Sequence, residues 1–128
     1  MGDVRAFRGI ALVAGSARGA ALVTETPLSF WGGLDPDSGE VIDRRHPWNG
    51  KFAANHVLAM PHGRGSCSAS GVLLEAAASG VGPAAIIVSR VDPVVGLGAI
   101  LADELLDRVV PVVLIDDADR RSIRDGDV

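Results

Sequence analysis

Apolar residues along this chain fall in short blocks punctuated by Gly, Pro and Asp, and the blocks change period part-way along. RAFRGIALVAG (5–15) and GAALVTE (19–25) read as strands on either side of GSARG, which predicts a hairpin or two neighbouring strands. The stretch 26–52, TPLSFWGGLDPDSGEVIDRRHPWNGKF, shows no sustained period and exceeds an ordinary connection, so it is functional or strongly packed. Within it DPDSG is a turn signal and EVID a short strand. HVLAMP reads as a strand ending at Pro61. After Ser66 the period becomes helical, with Val72, Leu73, Ala76 and Ala77 on one face and Gly80 as the C-terminal stop. PAAIIVS is a buried-strand run, PVVGLGAILADELLDR a second helix loosened by Gly96 and Gly98, and VVPVVLID a further strand.

β-rich material followed by strand–helix–strand–helix–strand predicts an α/β fold with parallel strands and right-handed crossovers, in which a small sheet covers a parallel one. The 128 residues make one domain, 1–128, with a polar tail from about 117 marking the end of the fold. Aromatic residues are only 4%, so the core is aliphatic. A net charge of −4 argues against nucleic acid or an anionic membrane as partner. No apolar run approaches a membrane span and the N-terminus lacks signal-peptide order, so a cytoplasmic location is expected. Cys67 is the single cysteine, and His46, His56 and His62 show no zinc spacing. An iron–sulfur cluster draws on about four thiolates, so no metal is expected on this chain and any metal in its chemistry sits on another.

The least scaffold-like stretch is MPHGRGSCSASG, 60–71. A strand end, two glycines and a helix start make an anion site. Free N–H groups and the helix dipole favour negative charge, Gly63 and Gly65 allow close approach, and Arg64 offers a planar fork for a carboxylate or phosphate. Ser66 and Ser68 bring hydroxyls to the same place. The bland alternative is that Ser66 only caps the helix, the usual role of a serine there, and that Cys67 is a small packed residue. No serine satisfies G-x-S-x-G, and no Lys follows the glycines as a P-loop requires. Asp103 and Glu104 are adjacent and diverge, reading as a solvated helix face, while Asp92 reads as a cap before Pro93. Trp31 in FWGG suits either an interface or a core.

PLSFWGGLDPDSGEVID, HPWNGKF, MPHGRGSCSASGVLLEAAASG, PAAIIVSRVDPVVGLGAILADEL and VPVVLID occur in an order that resembles the small, swivelling part of aconitase X-type dehydratases, from about residue 6 to residue 116. The resemblance implies a swivelling β/β/α domain, as in the mobile domain of aconitase. It also implies a large-subunit partner, in a heterodimer or higher assembly, that carries an iron or iron–sulfur centre. Ser66 would be the base, as an alkoxide, with Arg64 and Gly65 at the substrate's acidic end and Cys67 and Ser68 beside them. Many relatives have Ser where this chain has Cys67, which leaves that position's hydrogen-bonding role open. The implied reaction is dehydration: Ser66 takes a proton from carbon while iron on the partner draws off the hydroxyl. The substrate would be cis-3-hydroxy-L-proline, giving Δ1-pyrroline-2-carboxylate. The alternatives are mevalonate 5-phosphate and a non-catalytic anion-binding or regulatory domain. A phosphohistidine carrier, which LGAILADELLDRVVPVVLI echoes, is disfavoured because Leu97 stands where its histidine would fall. The Phe30–Asp35 loop is the expected partner contact.

Overall fold

The computed structural model describes residues 4–64, 68–90 and 93–128. In chain order the elements are β1 (Gly9–Val13), β2 (Ala20–Val23), a single turn α1 (Phe30–Gly33), β3 (His56–Ala59), α2 (Ser68–Ala78), β4 (Ala85–Val88), α3 (Pro93–Leu106), β5 (Val112–Ile115) and α4 (Asp117–Ser122). The strands form a five-stranded sheet in the order β1-β5-β4-β3-β2. Pairing is parallel from β2 through β3 and β4 to β5, and β1 runs antiparallel to β5. The strand–helix alternation after residue 55 is therefore the parallel unit its periodicity predicts.

The first two strands are not a hairpin, nor even neighbours: they lie on opposite edges of the sheet. Four strand spacings of about 4.8 Å separate them, roughly 19 Å, within the reach of roughly 23–25 Å for the extended chain between Val13 and Ala20. The glycines of GSARG mark close approaches along this crossing. A Cβ on Gly15 would lie 2.6 Å from the Val109 side chain, and one on Gly19 would lie 2.4 Å from the Asn55 carbonyl oxygen. β-branched runs flanking a Gly-rich pentapeptide look alike whether the glycines turn the chain or let it pass underneath.

Segment 26–54 supplies the second layer, held by isolated bridges Leu34–Val41, Glu40–Phe52 and Ala54–Pro83. It inserts Leu28, Phe30, Leu34, Val41 and Trp48 into the same core as Leu58, Met60, Leu73, Ile86, Val88 and Val112. Trp48 Nε1 donates to the Val23 carbonyl at 3.2 Å. His46 Nδ1 accepts from the Trp48 N–H at 3.0 Å, so its Nε2 carries the hydrogen and donates to Thr26 O at 3.0 Å. The long connection is thus tied to the end of β2 by packing and by two satisfied rings. Gly98 does not loosen α3. It lets α3 approach α2, since a Cβ there would sit 2.9 Å from the Ser70 carbonyl oxygen.

The polar tail belongs to the fold. Asp116 caps α4 by accepting from Ala118 N–H. Beyond α4 the chain lies along the outer edge of β2: Ala21 N–H donates to Asp127 O at 2.7 Å, Gly126 N–H to Ala21 O at 2.9 Å, and Val23 N–H to the Asp125 carboxylate at 2.8 Å. An open strand edge is a template for unwanted pairing, and these bonds close it.

Candidate functional site

The parallel strands deliver their C-terminal ends to one side of the sheet, where ligands bind in open α/β folds. Past β3, Met60 N–H donates to Ile87 O at 3.0 Å, and the Pro61 carbonyl accepts from Ser89 N–H at 3.0 Å and Arg90 N–H at 3.1 Å. His62 Nδ1 meets the Gly63 carbonyl. Gly63 then bridges Leu28, and Arg64 N–H donates to Leu28 O at 3.1 Å. The segment 61–64 is consequently held by the loop after β4 at Pro61 and by the loop after β2 at Gly63 and Arg64.

Arg64 is exposed at this rim, its guanidinium available to an anion. Gly65, Ser66 and Cys67 lie outside the described residues, as does Asp92. Ser68 opens α2, which places the sequence GRGSC directly ahead of the helix N-terminus. Asp103 and Glu104 are exposed on α3, away from any such convergence of strand ends.

Leu28 also leads into α1. Trp31 (φ −70°, ψ 120°) and Gly32 (φ 74°, ψ −10°) have the angles of a type II turn, which needs glycine at its third position. Phe30 and Leu34 are buried while Trp31 is 63% exposed, so of the expected Phe30–Asp35 contact loop it is the indole that reaches solvent.

A second polar group converges on the same side. Arg120 of α4 is 0% exposed. Its Nη2 lies 3.0 Å from Glu25 Oε2 and 2.9 Å from Asp117 Oδ1, its Nη1 donates to Thr24 O at 3.2 Å, and its Nε donates to Ser89 Oγ at 3.1 Å. Ser89 Oγ in turn donates to Asp117 Oδ1 at 2.8 Å. Arg121 adds a 3.0 Å ion pair with Asp117. Burial works against the Arg120 charge, but the bonds to Glu25 and Asp117 outweigh it and move its pKa above the ordinary arginine value. The Arg120 hydrogen bond, then that from Ser89, hold the Asp117 carboxyl below 3.8. Glu25, Ser89, Asp117, Arg120 and Arg121 border a cleft of about 460 Å³ that Pro27, Pro61, His62 and Arg90 complete.

Among the described residues no group of three or more His, Cys, Asp or Glu is placed to hold a metal ion, so a metal centre does not fit this part of the chain. No helix among them is long and apolar enough to cross a membrane.

The family model of the aconitase X swivel domain matches residues 6–128. The chain belongs to the aconitase X swivel domain family. It is 52% identical over 104 residues to cis-3-hydroxy-L-proline dehydratase of Pseudomonas aeruginosa, covering 81% of this chain and 18% of that protein. It is 48% identical over 109 residues to the enzyme of the same name from Hypocrea jecorina, covering 85% and 18%. The chain thus spans under a fifth of the length of these two relatives. The phosphomevalonate dehydratase small subunit of Methanocella arvoryzae is 39% identical over 116 residues, with 88% of each covered. The structure of Thermococcus kodakaraensis aconitase X in its holo-form superposes with a TM-score of 0.83 at 34% identity, covering 94% of this chain and 86% of that one.

The polar group on this face that the sequence motifs leave out is the Arg120 cluster. Its signal was present: Asp116 ahead of DADRRS, with acids in the first turn and arginines in the last, is a helix signature. What the pattern does not carry is that Arg120 meets Glu25, 95 positions away.

Proposed function

We propose that this chain is the swivelling component of an aconitase X-type hydro-lyase, active when joined to the large, metal-bearing part of the enzyme. The observation that carries this reading is the exposed Arg64, on a segment clamped between the loops after β2 and β4, in a sequence that leads on to α2. Arg64 holds the substrate carboxylate, and Ser66 accepts the proton removed from carbon. An alkoxide is costly in water; the backbone N–H groups ahead of α2 and the Arg64 charge stabilise it and make that proton transfer feasible. Cys67, Gly65 and Ser68 shape the acid-binding wall around Ser66. The described residues do not fit a metal centre, and no step is assigned to one on this chain.

The proposed substrate is cis-3-hydroxy-L-proline, supported by 52% and 48% identity to dehydratases of that name. A second reading, mevalonate 5-phosphate, has its own support in small subunits such as that of Methanothermobacter thermautotrophicus, 44% identical over 88 residues. The experiment is direct: the chain, reconstituted with an aconitase X large subunit, is offered each compound and product is followed. Turnover of hydroxyproline alone is expected. Turnover of the phosphate ester alone would reverse the assignment, and turnover of neither would remove the dehydratase reading.

A further inference from the structure

Arg120 occupies an unusual place relative to the sheet. In the strand order β4-β3-β2, it reaches Ser89 at the end of β4 and Thr24 and Glu25 at the end of β2, spanning the end of β3. The chain leaving β3 is the one that carries Gly63 and Arg64. Both points at which this segment is held lie on what Arg120 ties together. Pro61 O is fixed by the N–H groups of Ser89 and Arg90, and Arg64 N–H is fixed by Leu28 O, four residues beyond Thr24. We propose that Arg120 is a positioning residue for the segment 61–64, acting through Ser89 and the end of β2 to set where Arg64 meets the substrate.

The chemistry favours an arginine here. Five N–H donors in a rigid fork serve a backbone carbonyl, a hydroxyl and two carboxylates at once; a lysine ammonium has three donors and no fork. Ser89 Oγ accepts from Arg120 Nε and donates to Asp117, so the hydroxyl's orientation is fixed from both sides. Glu25 and Asp117 neutralise the buried charge, which an unpaired arginine at 0% exposure would not tolerate. Displacing a reacting group by about 1 Å costs on the order of a hundredfold in rate, so a small slackening of this strap is visible in turnover.

The inference rests on the proposed role of the G-R-G-S turn, and its test has one readout that does not. Arg120→Lys tests the residue directly; Ser89→Ala slackens the strap mildly, and Ser89→Thr returns the hydroxyl. In the 128-residue chain alone, the Gly63 and Arg64 backbone amide resonances are expected to shift in Arg120→Lys and Ser89→Ala and to return in Ser89→Thr. In the reconstituted enzyme, kcat is expected to fall about tenfold with KM within about threefold, and Ser89→Thr to recover it. Unmoved amides, or a kcat loss that only tracks the unfolded fraction, would overturn the assignment. If Ser66→Ala keeps its turnover, the function reading fails on its own, and the amide shifts alone still decide whether Arg120 positions the turn.

Discussion

Arg64 donates its backbone N–H to the carbonyl of Leu28 at 3.1 Å, joining the turn after β3 to the loop after β2. Leu28 is fully buried and Arg64 is exposed, so one end of this bond is anchored in the core while the other lies at the surface. The loop that carries Trp31 and the turn that carries Arg64 are therefore one mechanical unit.

Phe30 and Trp31 are neighbours with opposite duties. Phe30→Ala empties a core position and is expected to cost about 3–5 kcal/mol, read by urea denaturation. Trp31→Ala removes a side chain that is 63% exposed and is expected to leave stability within about 0.5 kcal/mol. If the indole is an interface anchor, the same change weakens binding to the large subunit by about 2 kcal/mol, roughly thirtyfold in Kd. Unchanged affinity would move the interface elsewhere.

Arg120→Ala takes the guanidinium from the Thr24 carbonyl, the Ser89 hydroxyl and the Glu25 carboxylate, while Asp117 keeps Ser89 and Arg121. Breaking a fully buried pair costs about 3–5 kcal/mol; Glu25 and Asp117 are half-exposed and water recovers part of this, so about 2–4 kcal/mol is expected. A loss within about 0.5 kcal/mol in denaturant would contradict the burial of that guanidinium.

Asp117 makes stability acid-sensitive. Its folded pKa is lowered from 3.8 by the Arg120 and Ser89 bonds, so its contribution is complete above the unfolded value and is lost as pH falls through the folded one. Denaturation midpoints at about pH 6 and about pH 3 are expected to differ less in Asp117→Asn than in the unaltered chain. An equal acid loss in both would place the sensitivity at other carboxylates, such as Asp35, whose pKa is also lowered, chiefly by the Asp37 N–H.

Much of the parallel unit was legible from the sequence because helices and buried strands leave different periods. The strands HVLA, AIIV and VVLI and the two long helices lie where those periods place them. Strand partners were not legible. GSARG is compatible with a turn or a crossing, and the strand order, with β1 and β2 on opposite edges of the sheet, decides it. The charged tail was underestimated for the same reason: its value lies in long-range bonds to β2, which local composition does not register. At the candidate site, the glycines, Arg64 and the following helix mark a candidate anion-binding turn in the sequence, whereas the clamp through Leu28, Ser89 and Arg120 depends on strand order.

Ser66 is the proposed proton acceptor. Ser66→Ala in the reconstituted enzyme, with assembly confirmed by size-exclusion chromatography, is expected to lower kcat by at least about a thousandfold while substrate still binds, because the proton acceptor is gone. An assembled Ser66→Ala enzyme that turns over at near the unaltered rate would contradict the assignment and leave the hydroxyl as a helix cap.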